Sequence, residues 1–314
     1  MSHLDALGKV LPVLLVIALG AGLRSAGLLG DRAAGELKRL VVNVTLPALL
    51  FLAFARLEVD PPTLRLVAVM FLLCLAGLAV GRLLKPAVAP GVRTFPMLFT
   101  GFEAGMMGYA LYASLYGQEN LHRFAAVDLG HVLFVFAVLI PVLQRATGGR
   151  TSLAETILGV TRSPVVLAIA LGLLAGWSGL LRALQGRALA AGIPEAAALV
   201  GGMTTPLVAL LVGSDLRLRA RGLGRPALAI GLRLLVWIPV GLLVGELLVR
   251  RWLGLDRGVV AAVLLMVVLP PPFVIPIFLP EEERAELDFT VSSLALATVA
   301  TLVAVTGLAL AYPP

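Results

Sequence analysis

Val267-Val268-Leu269-Pro270-Pro271-Pro272-Phe273-Val274-Ile275-Pro276 interrupts an apolar stretch of membrane length with four prolines. An earlier stretch of the same character is interrupted at Gly105-Met106-Met107-Gly108. Proline removes an N–H and clashes with the carbonyl four residues back, and glycine costs a helix about 1 kcal/mol. In hydrocarbon no backbone group can be left unpaired, so broken helix survives only where protein covers it or where it lines a cavity. Two breaks at matching places in two halves of a chain point to the solute site of a carrier.

The surrounding sequence carries the membrane reading. Of 314 residues, 60% are hydrophobic and 14% charged, and the mean hydropathy is +1.01. A membrane helix needs about 20 apolar residues, whereas a membrane barrel alternates apolar and polar positions. The runs here do not alternate. They predict an all-α integral membrane protein of ten transmembrane helices, at 7–28, 38–56, 64–84, 95–116, 121–143, 163–181, 195–215, 226–249, 258–279 and 287–311. Residues 146–162 form a polar linker too short to fold alone. The N-terminus lacks the basic region and cleavage site of a signal peptide, so helix 1 is expected to remain.

A net charge of +7 and a pI near 10.3 suggest nucleic acid at first sight. Cytoplasmic loops of membrane proteins concentrate Lys and Arg, which explains the charge without that partner. With both termini outside, 15 of the 25 basic residues fall in inward loops, nine fall outside, and Arg233 lies within helix 8. Glu281-Glu282-Glu283-Arg284-Ala285-Glu286 is the least conforming inward loop. Cys74 is the single cysteine, which rules out an intramolecular disulfide.

An internal repeat emerges from three correspondences in one order. Ile17-Ala18-Leu19-Gly20 recurs as Ile169-Ala170-Leu171-Gly172. Asn43-Val44-Thr45-Leu46-Pro47 answers Gly202-Met203-Thr204-Thr205-Pro206. Gly77-Leu78-Ala79-Val80-Gly81 becomes Gly241-Leu242-Leu243-Val244-Gly245. The last pair has an offset of 164, which sets Met106, Met107 and Gly108 against Pro270, Pro271 and Pro272. Each half, 1–145 and 163–314, holds five helices. An odd number inverts the second copy in the membrane, the arrangement of secondary carriers. Helices 4 and 9 are then expected to unwind and cross.

At such a crossing, freed N–H groups can hold an anion and freed carbonyls a cation. The candidate solute-binding residues are Glu103, Gly105, Met106, Met107, Gly108, Pro271 and Pro272 at the breaks. Asn43, Thr45, Pro47, Met203, Thr204 and Thr205 join them beside the paired prolines of helices 2 and 7. An ionisable residue at mid-membrane costs about 2.5 to 3.5 kcal/mol on insertion scales, so each calls for a function or a partner. Glu103 is placed to bind a coupling proton. Asp128 and His131, three apart on one helical face, form either a proton relay with it or a structural clasp. Arg233 either faces an anion pathway or snorkels to the interface. No catalytic constellation, phosphate loop, metal-spaced cluster or cofactor signature is present, which argues against an enzyme.

Val41-Val42-Asn43-Val44-Thr45-Leu46-Pro47-Ala48-Leu49-Leu50-Phe51 resembles the helix 2 signature of the auxin efflux carrier family, and Pro206 to Leu216 resembles its helix 7 ending. That family includes bacterial dicarboxylate carriers and plant PIN-formed auxin carriers, and is related in architecture to bile acid sodium symporters. The resemblance implies a scaffold domain of helices 1, 2, 6 and 7 and a transport domain of helices 3–5 and 8–10. It also implies elevator motion, and a homodimer through the scaffold is compatible with it. The family's helix 4 typically reads Asn-x-Gly-x-x-Gly-x-Pro, where this chain has Glu103 for the Asn and Ala110 for the Pro. In the plant carriers an Asn matching Met106 helps hold the substrate carboxylate, so auxin specificity does not carry over.

The expectation is a secondary carrier of mono- or dicarboxylate-like organic anions in the inner (plasma) membrane, coupled to H+ or Na+. The partners are a small solute and the lipid bilayer. The alternatives are a sodium-coupled carrier of the bile acid type and a membrane ligand sensor that does not transport.

Overall fold

The computed structural model describes residues 3–148, 159, 161–185, 190–216, 223–280 and 282–313. These are helical, with no strand among them. Helical segments stand at all ten predicted spans: α1 (His3–Ser25), α2 (Asp31–Ala55) and α3 (Pro61–Val88), then α4 (Phe95–Phe99) and α5 (Tyr109–Tyr116) within one predicted span. α6 (Gln118–Ala146) follows, then α7 (Pro164–Trp177) and the short α8 (Leu180–Gln185). The rest are α9 (Gly192–Asp215), α10 (Gly224–Trp252), α11 (Arg257–Val268) and α12 (Arg284–Ala311). Six of them, α2, α3, α6, α9, α10 and α12, are long and apolar enough to cross a membrane by length and composition. Most of the predicted linker lies outside the described residues, as do Glu281 and, from the basic count, Arg150, Arg187, Arg217, Arg219 and Arg221.

Prolines accompany three of the irregularities within the long helices. Pro47 cannot donate to the carbonyl four residues back, and the five residues Val41–Thr45 are π-helical, a widened turn that absorbs the missing bond. Pro141 follows a second π segment, Val135–Leu139, in the same way. Near Pro206, α9 loosens to a turn at Met203.

Two sets of helices pack closely within themselves. α1 lies along the second half of α9, and α7 lies along the second half of α2. Small residues allow the approach: a Cβ on Gly20 would overlap the Leu210 backbone, and one on Gly172 would meet the Phe51 carbonyl oxygen at 2.6 Å. Close backbone approach through glycine is how helices associate where lipid supplies no hydrophobic drive. The second set pairs α3 with α6 and α4, and α10 with α11 and α12; α11 also rests on α6. The sets meet where α1 and α9 touch α5, α1 touches α12, and α2 touches α6.

Ion pairs reinforce each set. Lys38 Nζ lies 2.6 Å from Asp215, and Arg24 pairs with Asp31, in the first. In the second, Arg123 pairs with Asp256 at 2.9 Å. Glu286, at the start of α12, accepts from the Thr94 N–H at 2.8 Å, the Thr94 hydroxyl at 2.9 Å and Arg93 Nε at 3.2 Å. The acidic loop of the charge count thus supplies a clamp on the two residues that lead into α4.

Candidate functional site

Leu269 is extended (φ −62°, ψ 151°), as the residue before a proline must be. The helical bonding of α11 therefore stops at Val268, and Pro270, Pro271 and Pro272 offer no N–H groups. In the first half, α4 ends at Phe99, and residues 100–103 are non-helical. Helical turns resume at Ala104–Gly108 and run into α5. Residues 100–102 and 269–272 are buried, and Glu103 and Phe273 beside them are partly buried.

The two breaks bond directly to each other through Glu103. Its N–H donates to the Pro270 carbonyl at 2.8 Å. Its carboxylate accepts from the Phe273 N–H at 2.6 Å through Oε2 and from the Met106 N–H at 3.3 Å through Oε1. Glu103 therefore caps the turn that restarts the first broken helix and seizes an N–H of the second. Gly101 makes room for the contact, since a Cβ there would stand 2.6 Å from Pro272 Cγ.

Asp128 and His131 come from α6 and are both buried. His131 Nε2 accepts the Phe102 N–H at 3.1 Å, one residue before Glu103, and its Nδ1 lies 3.0 Å from Asp128 Oδ1. An Nε2 that accepts must be unprotonated, so the ring proton sits on Nδ1 and points at Asp128. The pair shares a face, as the spacing suggested, and clasps the broken backbone.

The carbonyl ends are met from α10. Arg233 is 1% exposed and neither snorkels nor opens to an anion path. It donates to the Leu98 and Gly101 carbonyls at 2.8 Å each and to Leu269 at 3.2 Å, and its guanidinium lies 4.8 Å over the Phe102 ring. Trp237, one turn later, donates to the Phe99 carbonyl at 2.8 Å. Thr301 of α12 takes the Val268 carbonyl, and Thr100 reaches back to Cys74, each at 2.5 Å. Sequence reasoning missed Trp237 and Thr301. The i, i+4 spacing of Trp237 from Arg233 was the available signal.

The remaining candidates divide. Thr45 and Thr204 are buried, and their hydroxyls, with that of Thr205, have no protein partner among the described residues. Leu46, next to Thr45, reaches toward Gly105. A cavity of about 220 Å³ between α1, α5 and α9 is lined by Ser114, Gln118, Thr205 and Pro206 among apolar residues. A narrower space beside it shares Thr205 and reaches Met107. Pro47 is half-buried beside Thr45. Met106 packs half-buried against the core, and Gly108 is closed in by Phe124 and Leu269. Asn43 is exposed and bonds its own helix at Arg39, and Met203 is exposed; the structure does not bring these two to the cluster.

Residues 5–155 match a family described as membrane transport protein. Over these residues the chain is similar to that family. The relation runs beyond the matched half: an uncharacterized transporter of Methanothermobacter thermautotrophicus is 25% identical over 312 residues, covering 96% of this chain and 97% of the relative. Both findings point to a transporter, which would bind a small solute and sit in lipid, rather than to an enzyme.

Proposed function

We propose that this protein is a secondary active carrier of small organic anions, mono- or dicarboxylate-like, driven by co-transported protons. The observation that carries the reading is the Glu103 carboxylate lying on N–H groups from both breaks. Main-chain N–H groups at a helix start are an anion site, and here a side chain of the protein occupies it. The ionisable groups that face Glu103 are His131 and Asp128 of α6. A proton arriving on Glu103 removes its charge and weakens its hold, because charge-assisted hydrogen bonds are about twice as strong as neutral ones. A solute carboxylate then takes the vacated N–H groups. Proton and anion bind together, and a monocarboxylate crosses without net charge.

Two inverted repeats that cross at helices 4 and 9 are supported by packing as well as by sequence. Gly20 rests on Leu210 and Gly172 on Phe51, and the alignments make both members of each contact equivalent. Likewise Gly81 rests on Pro96 and Gly245 on Val260, positions 164 apart. Elevator motion is supported by the division of polar ties. The bonds of Glu103, His131, Arg233, Trp237 and Thr301 lie within α3–α6 and α10–α12, so that set can slide as one body against α1, α2, α7 and α9. The cavity beside Thr205 and the unpaired threonine hydroxyls lie along that seam. On this reading both termini lie outside the inner membrane, and a homodimer through the scaffold would cover the exposed Leu171 and Leu199 on α7 and α9.

The test is uptake of labelled mono- and dicarboxylates into proteoliposomes under an imposed acid-outside gradient. Accumulation that follows the gradient is expected, and a flux indifferent to it for every carboxylate overturns the reading.

A further inference from the structure

Carriers with broken helices hold coupling sodium on freed carbonyls and half-helix C-terminal ends. In this chain the corresponding carbonyls are already taken. Leu98, Gly101 and Leu269, at the ends of α4 and α11, all accept from the Arg233 guanidinium, while Trp237 holds Phe99 and Thr301 holds Val268. No carboxylate lies within ion-pair distance of Arg233 among the described residues, so the carbonyl dipoles and the Phe102 ring are its counter-charge. The Glu103 carboxylate, a group of the kind that ligates metal ions, is engaged by N–H groups. A sodium ion at these carbonyls would compete for the same lone pairs and be repelled by the guanidinium. The donor set does not fit sodium.

We infer that Arg233 is a tethered cation standing where a coupling sodium ion would bind, and that it makes this carrier sodium-independent. This inference rests on the crossing described under the proposed function and adds the ion specificity of that site. Arg233 acts as a positioning residue: it touches no solute, and joins the carbonyl ends of the two breaks so that their N–H ends stay in register at Glu103. A guanidinium suits this better than an ammonium, because its planar fork serves two carbonyls at the first break, Leu98 and Gly101, and one at the second, Leu269, at once.

The experiment follows thermal unfolding of the detergent-purified full chain in sodium, lithium and choline chloride at equal ionic strength and pH. The wild-type midpoint is expected to be the same in all three. Arg233→Ala is expected to lower the midpoint and to make it respond to added cation, with methylguanidinium restoring it in part. A saturable rise of the wild-type midpoint in sodium overturns the inference, and so does an Arg233→Ala protein indifferent to both cations. Should Arg233→Ala fail to fold, the wild-type series decides alone. In proteoliposomes under an acid gradient, carboxylate uptake is expected to be equal in sodium and choline. A several-fold loss without sodium refutes the tethered cation and leaves the carrier standing. Lack of uptake in every salt refutes the carrier while the unfolding series still settles the cation.

Discussion

Replacing Glu103 with Gln tests the site most directly. The carboxylate accepts two main-chain N–H groups, at 2.6 and 3.3 Å. Hydrogen bonds to a charged group contribute about 1.5–3 kcal/mol each, against about 0.5–1.5 for neutral ones. A glutamine oxygen can keep one of the two N–H groups and turns an NH2 toward the other. The empty carrier should therefore lose about 2–4 kcal/mol of stability at neutral pH. The same change removes the resident competitor of the solute, so carboxylate affinity should rise by about 1.5–3 kcal/mol, roughly 10- to 150-fold in Kd. The pH dependence is the sharper readout. In the wild type, once Glu103 is ionised, each further pH unit should weaken binding by about tenfold, since one proton must be bound for each anion. In Glu103→Gln the slope should be zero. Calorimetric titration with carboxylates from pH 5 to 8 measures both quantities. A variant that keeps the wild-type slope refutes Glu103 as the proton site, and a variant that binds no more tightly refutes it as a competitor.

His131→Asn should keep an acceptor near Phe102 but lose the bond to Asp128, slowing uptake while leaving the pH slope unchanged; an altered slope would make the pair a relay rather than a clasp. Asp60 caps α3 through the Thr63 N–H at 2.9 Å, and Asp60→Ala should lower stability by about 1 kcal/mol in chemical or thermal unfolding. The Thr63 hydrogen bonds hold the Asp60 carboxyl below its ordinary value of 3.8, so its contribution is complete above that pH and fades as pH falls through the lower folded value. The unfolding difference between wild type and Asp60→Asn should accordingly shrink in acid, and a difference that grows there contradicts the cap. Cys74 is fully buried, which leaves a clean background for labelling. Glu58→Cys and Glu119→Cys should react with an impermeant thiol reagent applied from outside, and Lys85→Cys should not; the reverse pattern inverts the topology.

Much of the fold is legible locally. Long apolar runs give helices of membrane length, and three glycine- and proline-bearing strings are the sequence's grounds for proposing two equivalent halves. The prolines at 270–272 announce the second break because the defect is written into the residues themselves. The first break is subtler: its glycines are seen, but not that non-helical backbone begins at Thr100. Thr100, Phe102 and Gly101 are fixed there by Cys74, His131 and Arg233 of three other helices. Asn43 and Met203 flank the right prolines, yet rotate outward, because Pro47 widens α2 into a π segment and α9 loosens at Met203. A flanking position in sequence does not specify a direction once the helical phase slips.

The amino-acid sequence by itself thus determined the membrane helices, the paired breaks and the presence of an acid and a base-rich polar minority at membrane depth. Those follow from apolarity, missing N–H groups and residue type, all short-range properties. Only the tertiary structure decided which polar end goes where: Glu103 to an N–H 170 residues away at Phe273, and Arg233 to a carbonyl 135 residues away at Leu98. The physical reason is that a broken helix in hydrocarbon creates unsatisfied donors and acceptors without naming their partners. Only the packing of distant helices brings a carboxylate to one end and a guanidinium to the other.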